Sequence, residues 1–130
     1  MRWLVLALLP GAAWAAEPLT GAEFNAYTQG KTMTYAEGGR VWGREQYLPG
    51  AKVIWAFEGE DCKRGTWEEA EPGLICFSYD DDPADVECWQ FFKGGTGLEA
   101  LSTKGGGGFP LAAIEETDKP LSCPGPDVGV

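Results

Sequence analysis

Carboxylates, cysteines and aromatic side chains are the residues that could do chemistry in this sequence. The 130-residue chain has 20 acidic and 10 basic residues, 4 cysteines and 6 tryptophans, but no histidine. A chain without histidine has no Ser-His-Asp triad, no imidazole metal ligand and no imidazole pH switch. Three kinds of site therefore remain: a pair of carboxylates, a set of thiols, or an aromatic binding surface.

The four cysteines are Cys62, Cys76, Cys88 and Cys123. In a small exported chain, which the N-terminus indicates below, four cysteines suggest two disulfides, for which three pairings exist. A thiolate zinc site is disfavoured because the sequence has neither a Cys-x-x-Cys motif nor a histidine. Thiol catalysis is disfavoured because no histidine can act as base. We therefore expect structural cysteines, no metal and no cofactor.

The first 15 residues have the pattern of a secretory signal peptide. Arg2 gives a positive start, residues 3–9 are apolar, and Ala13 and Ala15 place small residues at the −3 and −1 positions of a cleavage site. The apolar run is too short for a membrane anchor. We therefore expect a soluble, periplasmic domain of 115 residues, 16–130, whose net charge is −11 once Arg2 is removed.

The acidic balance argues against two classes of partner. Nucleic-acid binding without sequence preference uses Lys and Arg to neutralise phosphates, and anionic lipid surfaces likewise attract basic segments. A formal net charge of −10 fits neither. The hydrophobic content of 44% and aromatic content of 12% are too high for a disordered chain, so we expect a folded domain.

One helix and eight strands are predicted. The Thr20-Gly-Ala-Glu23 sequence is a capping box, which predicts a helix over residues 20–29 that ends at Gly30. Turn signals then recur about every ten residues between runs of β-branched and aromatic residues, as in an antiparallel meander. Residues 118–130 are expected to form an irregular tail. The expected strands are 31–36, 41–47, 51–58, 63–69, 73–79, 86–92, 97–103 and 109–115.

The alternation of side chains along a strand sets the expected register. Placing Cys76 opposite Cys88 puts the hairpin turn at 80–83 and predicts a Cys76–Cys88 disulfide, which leaves Cys62 to pair with Cys123. Turns at 48–50, 59–63 and 70–72 then predict rows of side chains across five strands. One row is Gly43, Trp55, Trp67, Ile75 and Trp89, and the next is Val41, Phe57, Gly65, Phe77 and Glu87.

The aromatic face of this sheet has to be covered, and eight strands can cover it by closing on themselves. The predicted fold is therefore mainly β: an antiparallel meander closing into a small calycin-like barrel of about eight strands, with two disulfides and a helix at one end. An aromatic row can stack on a sugar or an apolar ligand, although such a row is more often ordinary core. The candidate ligand-binding residues are Trp55, Trp67, Trp89, Phe77, Glu45, Glu69 and Glu87.

Three of these candidates are carboxylates on the aromatic face. Glu45 and Glu69 are expected in one row on either side of Val53, with backbones about 10 Å apart. Such a pair suits inverting glycoside hydrolysis, but the pattern favours hydrated residues at a barrel mouth. The acidic run 80–85 lacks the Asp-x-Asp-x-Asp-Gly spacing of a calcium loop, so it favours a solvated hairpin turn.

Three motifs carry a resemblance to known proteins: Gly65-Thr-Trp67, Ile75-Cys76-Phe77 and Cys88-Trp89-Gln-Phe91. They resemble a group of small exported alphaproteobacterial proteins classed as domains of unknown function. The resemblance covers about residues 30–95 and implies a periplasmic, β-rich domain, without supplying catalytic or binding residues. In architecture alone, the chain is also similar to periplasmic lysozyme inhibitors, which are small disulfide-bearing β-barrels.

The sequence therefore predicts a non-enzymatic periplasmic binding or interaction module, whose partner is a small molecule or an envelope protein. One alternative is an inhibitor of a basic enzyme such as lysozyme, because the acidic charge would speed their encounter. Another is a carboxylate-based hydrolase of cell-wall sugars. An open pocket lined by Trp55, Trp67 and Trp89 would favour ligand binding, whereas a cleft joining Glu45 and Glu69 would favour the hydrolase.

Overall fold

The fold is that of a computed structural model, which describes residues 17–95, 97–104 and 110–123. The expected signal peptide, residues 1–15, lies outside the described residues, as do the glycine run at 105–108 and the end of the expected tail, 124–130. Among the described residues, no helix is long and apolar enough to cross a membrane.

The single helix of the described chain, α1, spans Gly21–Thr28, as the capping box predicted. The Thr20 hydroxyl accepts a hydrogen bond from the Glu23 backbone N–H at 3.2 Å, and the Glu23 carboxylate accepts one from the Thr20 N–H at 2.9 Å. These two bonds satisfy backbone donors that the first turn of a helix leaves without intrahelical partners. The chain leaves the helix through Gly30, whose φ is +84°.

Eight antiparallel strands follow, and each pairs with the next in sequence. The last strand pairs with the first, so the sheet closes into a barrel and the predicted fold class is confirmed. The strands are β1 Thr32–Glu37, β2 Arg40–Leu48, β3 Lys52–Phe57, β4 Lys63–Glu71, β5 Leu74–Tyr79, β6 Asp82–Lys93, β7 Leu98–Ser102 and β8 Pro110–Thr117.

Both predicted disulfides are confirmed. The hairpin disulfide, Cys76–Cys88, joins directly opposed residues of β5 and β6. The tail disulfide, Cys62–Cys123, fastens the chain after β8 to the connection before β4. On its way, the tail contacts the outside of two strands: the Thr32 hydroxyl donates to the Lys119 carbonyl at 2.7 Å, and the Leu121 N–H donates to the Gln46 side chain at 3.1 Å.

The predicted register is correct between β5 and β6 but wrong across the preceding strands. Ile75 faces Trp89 as predicted. However, Gly43 faces Phe57 instead of Trp55, and Trp67 faces Phe77 instead of Ile75, so each of these registers is displaced by two residues. Between β3 and β4 the displacement is four residues, because Trp55 faces Lys63 instead of Trp67. The predicted row of three tryptophans therefore does not form.

Even displacements leave the inward and outward faces unchanged, because side chains alternate with a period of two. The turns explain the two displacements of two residues. The β2–β3 turn is centred at Gly50 and Ala51, which both have positive φ, and β4 continues to Glu71 through a register irregularity after Glu69.

The predicted inward position of Val41 is wrong because β2 contains a β-bulge. Tyr35 pairs with Gly43 while the next residue, Ala36, pairs with Val41, so Trp42 is the additional residue on β2. A bulge reverses the alternation on one side of it. Trp42, instead of Val41, therefore points into the barrel, where its ring contacts Trp55.

The helix closes one end of the barrel. In this connectivity, the β2–β3, β4–β5 and β6–β7 turns share an end with α1, and the β1–β2, β3–β4 and β5–β6 turns lie at the opposite end, which we call the mouth. Phe24 of α1 is fully buried, with its ring centroid 5.4 Å from Tyr47, 5.1 Å from Trp67 and 4.4 Å from Phe91. These edge-on and tilted contacts are the usual geometry of packed aromatic rings.

Candidate ligand-binding cavity

A cavity of about 500 Å³ occupies the barrel between the helix and the mouth. Its volume lies within the range of small-molecule sites in proteins. All eight strands contribute residues to its wall, and β1, β2, β3, β5 and β6 contribute its aromatic rings. The lining residues are Tyr35, Trp42, Glu45, Tyr47, Trp55, Phe57, Lys63, Phe77, Tyr79, Asp81, Asp82, Asp85, Glu87, Trp89, Phe91, Ala100, Ser102 and Leu111.

Two glycines make room for the large rings of the wall. A Cβ on Gly43 would lie 2.4 Å from the Trp55 indole, and a Cβ on Gly65 would lie 2.7 Å from the Tyr79 ring. Both distances are too short for real atoms, so each ring occupies space that only glycine leaves open. The glycine of the Gly-x-Trp motif therefore leaves room for the Tyr79 ring and for the Ser78 backbone carbonyl, which would lie 2.4 Å from the same Cβ.

An aromatic cluster forms part of the cavity wall around Trp42. The Trp42 ring centroid lies 5.3 Å from Trp55, 5.1 Å from Phe57 and 5.9 Å from Trp89. Trp55 and Phe57 are themselves edge to face at 5.3 Å. The four rings hold one another in place and give the cavity several π surfaces.

Glu45 is the buried acid of the cavity. Its residue exposure is 4%, and the Tyr79 hydroxyl donates a hydrogen bond of 2.7 Å to its carboxyl oxygen. Tyr79 ends β5 and Glu45 lies in the middle of β2, so this bond crosses the inside of the barrel. Burial raises the pKa of Glu45 to about 8, although the bond from Tyr79 acts in the opposite direction.

Three tyrosine hydroxyls accompany this carboxyl group. Besides the bond from Tyr79, the hydroxyls of Tyr35 and Tyr47 lie 2.8 Å apart and share a hydrogen bond. Burial raises the pKa of all three phenols, and the negative charge of Glu45 raises it further. The phenols therefore stay neutral near neutral pH, and the cavity has hydroxyl groups within an otherwise aromatic wall.

The mouth of the cavity is acidic. Asp81, Asp82, Asp85 and Glu87 line it, and together they form what we call the acidic rim. Lys63 also lines the cavity and forms an ion pair with Asp81 at 3.0 Å. The turn expected for the run 80–85 is shorter than predicted: residues 80 and 81 connect β5 to β6, and residues 82–85 already belong to β6. The pairing shifts register between Phe77 and Tyr79, so Tyr79 pairs with Asp82. The Ser78 hydroxyl donates to the Pro83 carbonyl at 3.0 Å.

A second lysine screens part of the rim. Lys104 lies 3.4 Å from Asp85 and 2.8 Å from Glu87, and these carboxylates raise the pKa of its ammonium group. All these side chains are substantially solvated, so the pairs stabilise the fold little. Their charges nevertheless set the electrostatic potential at the entrance.

Five of the seven predicted binding residues line the cavity: Trp55, Trp89, Phe77, Glu45 and Glu87. The other two lie at the closed end. The ring of Trp67 packs on Phe24 of the helix. One carboxylate oxygen of Glu69 accepts hydrogen bonds from the backbone N–H groups of Gly21 at 2.8 Å and Gly73 at 2.9 Å, which lower its pKa.

The predicted row that joined Glu45 and Glu69 is wrong. Glu45 faces Trp55 across β2 and β3, whereas Glu69 faces Ile75 across β4 and β5. Glu69 is an exposed residue bound to the start of the helix, and Glu45 is enclosed in the barrel. These two carboxyl groups therefore do not form the acid and base pair that inverting hydrolysis would need.

Sequence reasoning missed several residues of the cavity wall. Trp42 was missed because the bulge reverses its side, and a bulge leaves no signal in simple alternation. Tyr35 and Tyr47 were missed because no motif marked them, although both have the odd numbering of the inward face. The alternation over residues 43–47 would have placed Tyr47 inside with Glu45.

Comparisons of the chain with protein-family models, with curated proteins and with solved structures find no match. The resemblance to small alphaproteobacterial proteins therefore stays a prediction, and the function has to be inferred from the cavity itself.

Proposed function

We propose that this protein is an exported, periplasmic binding protein that holds a small, largely apolar molecule inside the barrel. The single observation that carries the proposal is the aromatic cavity of about 500 Å³ behind an open mouth. A barrel that served only as a scaffold would gain stability by filling this space, because empty volume forfeits dispersion contacts. Two disulfides agree with an oxidising compartment.

Binding can be tested with N-phenyl-1-naphthylamine, a neutral apolar probe whose fluorescence rises in apolar surroundings. We expect saturable binding by the mature chain. Ser102→Phe should abolish it, because Ser102 lines the cavity and is 8% exposed, so a phenyl ring there would fill the space. Leu101→Phe is the matched control, because alternation turns residue 101 to the outside. Equal binding by both variants, or none by the natural chain, would contradict the proposal.

Export is tested separately by expressing the full chain in a Gram-negative host. The mature protein should be recovered from the periplasmic fraction with Ala16 as its first residue, as the small residues at 13 and 15 predict. Recovery of the full-length chain from the cytoplasm would refute export without bearing on the cavity.

Inhibition of a basic enzyme is a second candidate, and the acidic rim supports it. Negative charges around a mouth would attract a basic protein and speed the encounter. The probe would be hen egg-white lysozyme, assayed with the natural chain, Ser102→Phe and Asp82→Asn. Inhibition that survives Ser102→Phe but weakens with Asp82→Asn and added salt would support this candidate over small-molecule binding.

A further inference from the structure

Resting on this proposed function, we infer that the ligand of the cavity is an organic cation: a small molecule with an ammonium-type group on an apolar body. Its apolar body would occupy the aromatic wall, and its charge would lie against the carboxyl group of Glu45. Three features of the cavity argue for this class of ligand: the charge of the lining, the aromatic surfaces and the buried acid.

The first feature is the charge of the lining. Among the described lining residues, five carry carboxyl groups and one, Lys63, carries an amino group. That amino group already lies 3.0 Å from Asp81. A cation approaching the mouth is therefore attracted by the acidic rim, whereas a fatty acid or a phosphate would be repelled.

The second feature is the aromatic surface. A cation within about 6 Å of a ring centroid is attracted to the ring face, and indoles give the strongest attraction. Trp42, Trp55 and Trp89 all line the cavity. The ring centroid of Trp42 lies 5.3 Å from that of Trp55 and 5.9 Å from that of Trp89. Three indoles so close together provide the kind of surface that binds quaternary ammonium groups.

The third feature is Glu45 itself. Its neighbours inside the barrel are Tyr79 of β5, which donates to it, Tyr47 of β2 and Tyr35 of β1, and all of these are weak acids. Among the described residues, no lysine or arginine lies within 4.0 Å of its carboxyl oxygens. A buried carboxylate without a cation is costly, so Glu45 holds its proton in the empty barrel, and a bound cation would provide the positive partner that no described side chain supplies.

The ligand charge is tested with a pair of compounds of nearly the same shape. Benzyltrimethylammonium carries a fixed positive charge, and neopentylbenzene replaces its nitrogen by carbon. We expect titration calorimetry to show at least about tenfold tighter binding of the cation at pH 7. From pH 7 to pH 9 its affinity should rise about tenfold further as Glu45 ionises, while binding of the neutral compound stays constant.

Two variants locate the cation. Glu45→Gln should remove the rise in cation affinity between pH 7 and pH 9. Asp82→Asn, which alters only the rim, should slow association at low salt and leave the pH dependence in place. Glu68→Gln, on the outer face of β4, controls for the unit change in net charge. Should Glu45→Gln fail to fold, the compound pair and Asp82→Asn still decide the question.

The outcomes separate this inference from the proposed function. If neopentylbenzene binds as tightly as benzyltrimethylammonium, the cavity binds apolar ligands and the cation inference is wrong. If N-phenyl-1-naphthylamine binds but benzyltrimethylammonium does not, the inference is again wrong while the proposed function stands. If none of the three compounds binds, both are wrong.

Discussion

Replacing Glu45 by glutamine should make the barrel more stable, and increasingly so as the pH rises. Glutamine keeps a carbonyl oxygen that can accept the 2.7 Å hydrogen bond from Tyr79, but it never carries a charge. In the natural chain, the buried carboxyl group either keeps its proton or ionises in an apolar site. Once the pH is high enough for this group to be ionised in the unfolded chain, both states lower the free energy of unfolding.

The size of the effect follows from the two pKa values. The carboxyl pKa is 4.5 in the unfolded reference and about 8 in the folded barrel. The folded state therefore binds the proton more tightly, and its free energy of unfolding falls as the pH rises from the lower to the higher pKa. Relative to low pH, the loss is about 1 kcal/mol at pH 5, about 3 kcal/mol at pH 7 and about 5 kcal/mol at pH 9.

The assay is urea unfolding at 25 °C with both disulfides intact, followed by tryptophan fluorescence at pH 5, 7 and 9. The difference in the free energy of unfolding between Glu45→Gln and the natural chain cancels the contributions of the other titrating groups. That difference should increase by about 4 kcal/mol between pH 5 and pH 9. Glu68→Gln again controls for net charge. A difference that stays constant within about 1 kcal/mol would show that Glu45 does not titrate in this range and would refute the reasoning.

Three further predictions concern the fold. Gly43→Ala should destabilise the barrel by about 1–3 kcal/mol and change the tryptophan emission, because its Cβ would lie 2.4 Å from Trp55; Gly95→Ala, with no atom within 4 Å of the new Cβ, is the control in the same urea assay. Phe24→Ala should cost about 3–5 kcal/mol in chemical unfolding, because a fully buried ring leaves the closed end; a cost below 1 kcal/mol would show that the helix does not seal the barrel. Replacing both cysteines of the tail disulfide by alanine should lower the free energy of unfolding by about 4 kcal/mol, against about 3 kcal/mol for the hairpin disulfide. The tail disulfide closes the longer loop, because its cysteines are 61 residues apart and those of the hairpin disulfide are 12 apart. A larger loss of thermal stability on removing the hairpin disulfide would contradict this prediction.

How far the sequence predicts this fold depends on how many constraints act on each part. At the β5–β6 hairpin, an acidic turn and two cysteines constrain the same register, and Cys76 does face Cys88. At the β3–β4 connection, only alternation was available, and alternation cannot distinguish a register from one displaced by two or four residues. Hence Trp55 was correctly placed on the inside but assigned the wrong partner.

The cavity was less predictable than the barrel, for the same reason. Inward residues can be read from alternation, but a cavity depends on which inward side chains meet across the barrel. The bond from Tyr79 to Glu45 joins strands that are not neighbours, so no pairing rule along the sheet would reveal it. The carboxylate that alternation placed near Glu45, Glu69, binds the helix start because the closed end offers backbone N–H groups there.

The stability of the barrel and the proposed binding of a cation both depend on the titration of Glu45. An apolar residue of similar size at position 45 would avoid the cost of a buried acid, so the fold alone does not explain a carboxyl group there. A bound cation would favour the ionised carboxylate and so lower its pKa, which recovers the cost in the complex. By linkage, the pH above which the empty barrel stops losing stability relative to Glu45→Gln has to be the pH above which cation affinity stops rising, because both mark the pKa of Glu45 in the empty barrel. If the stability changes near pH 8 while the affinity does not, the cation does not meet Glu45, and the charge preference would have to come from the acidic rim alone.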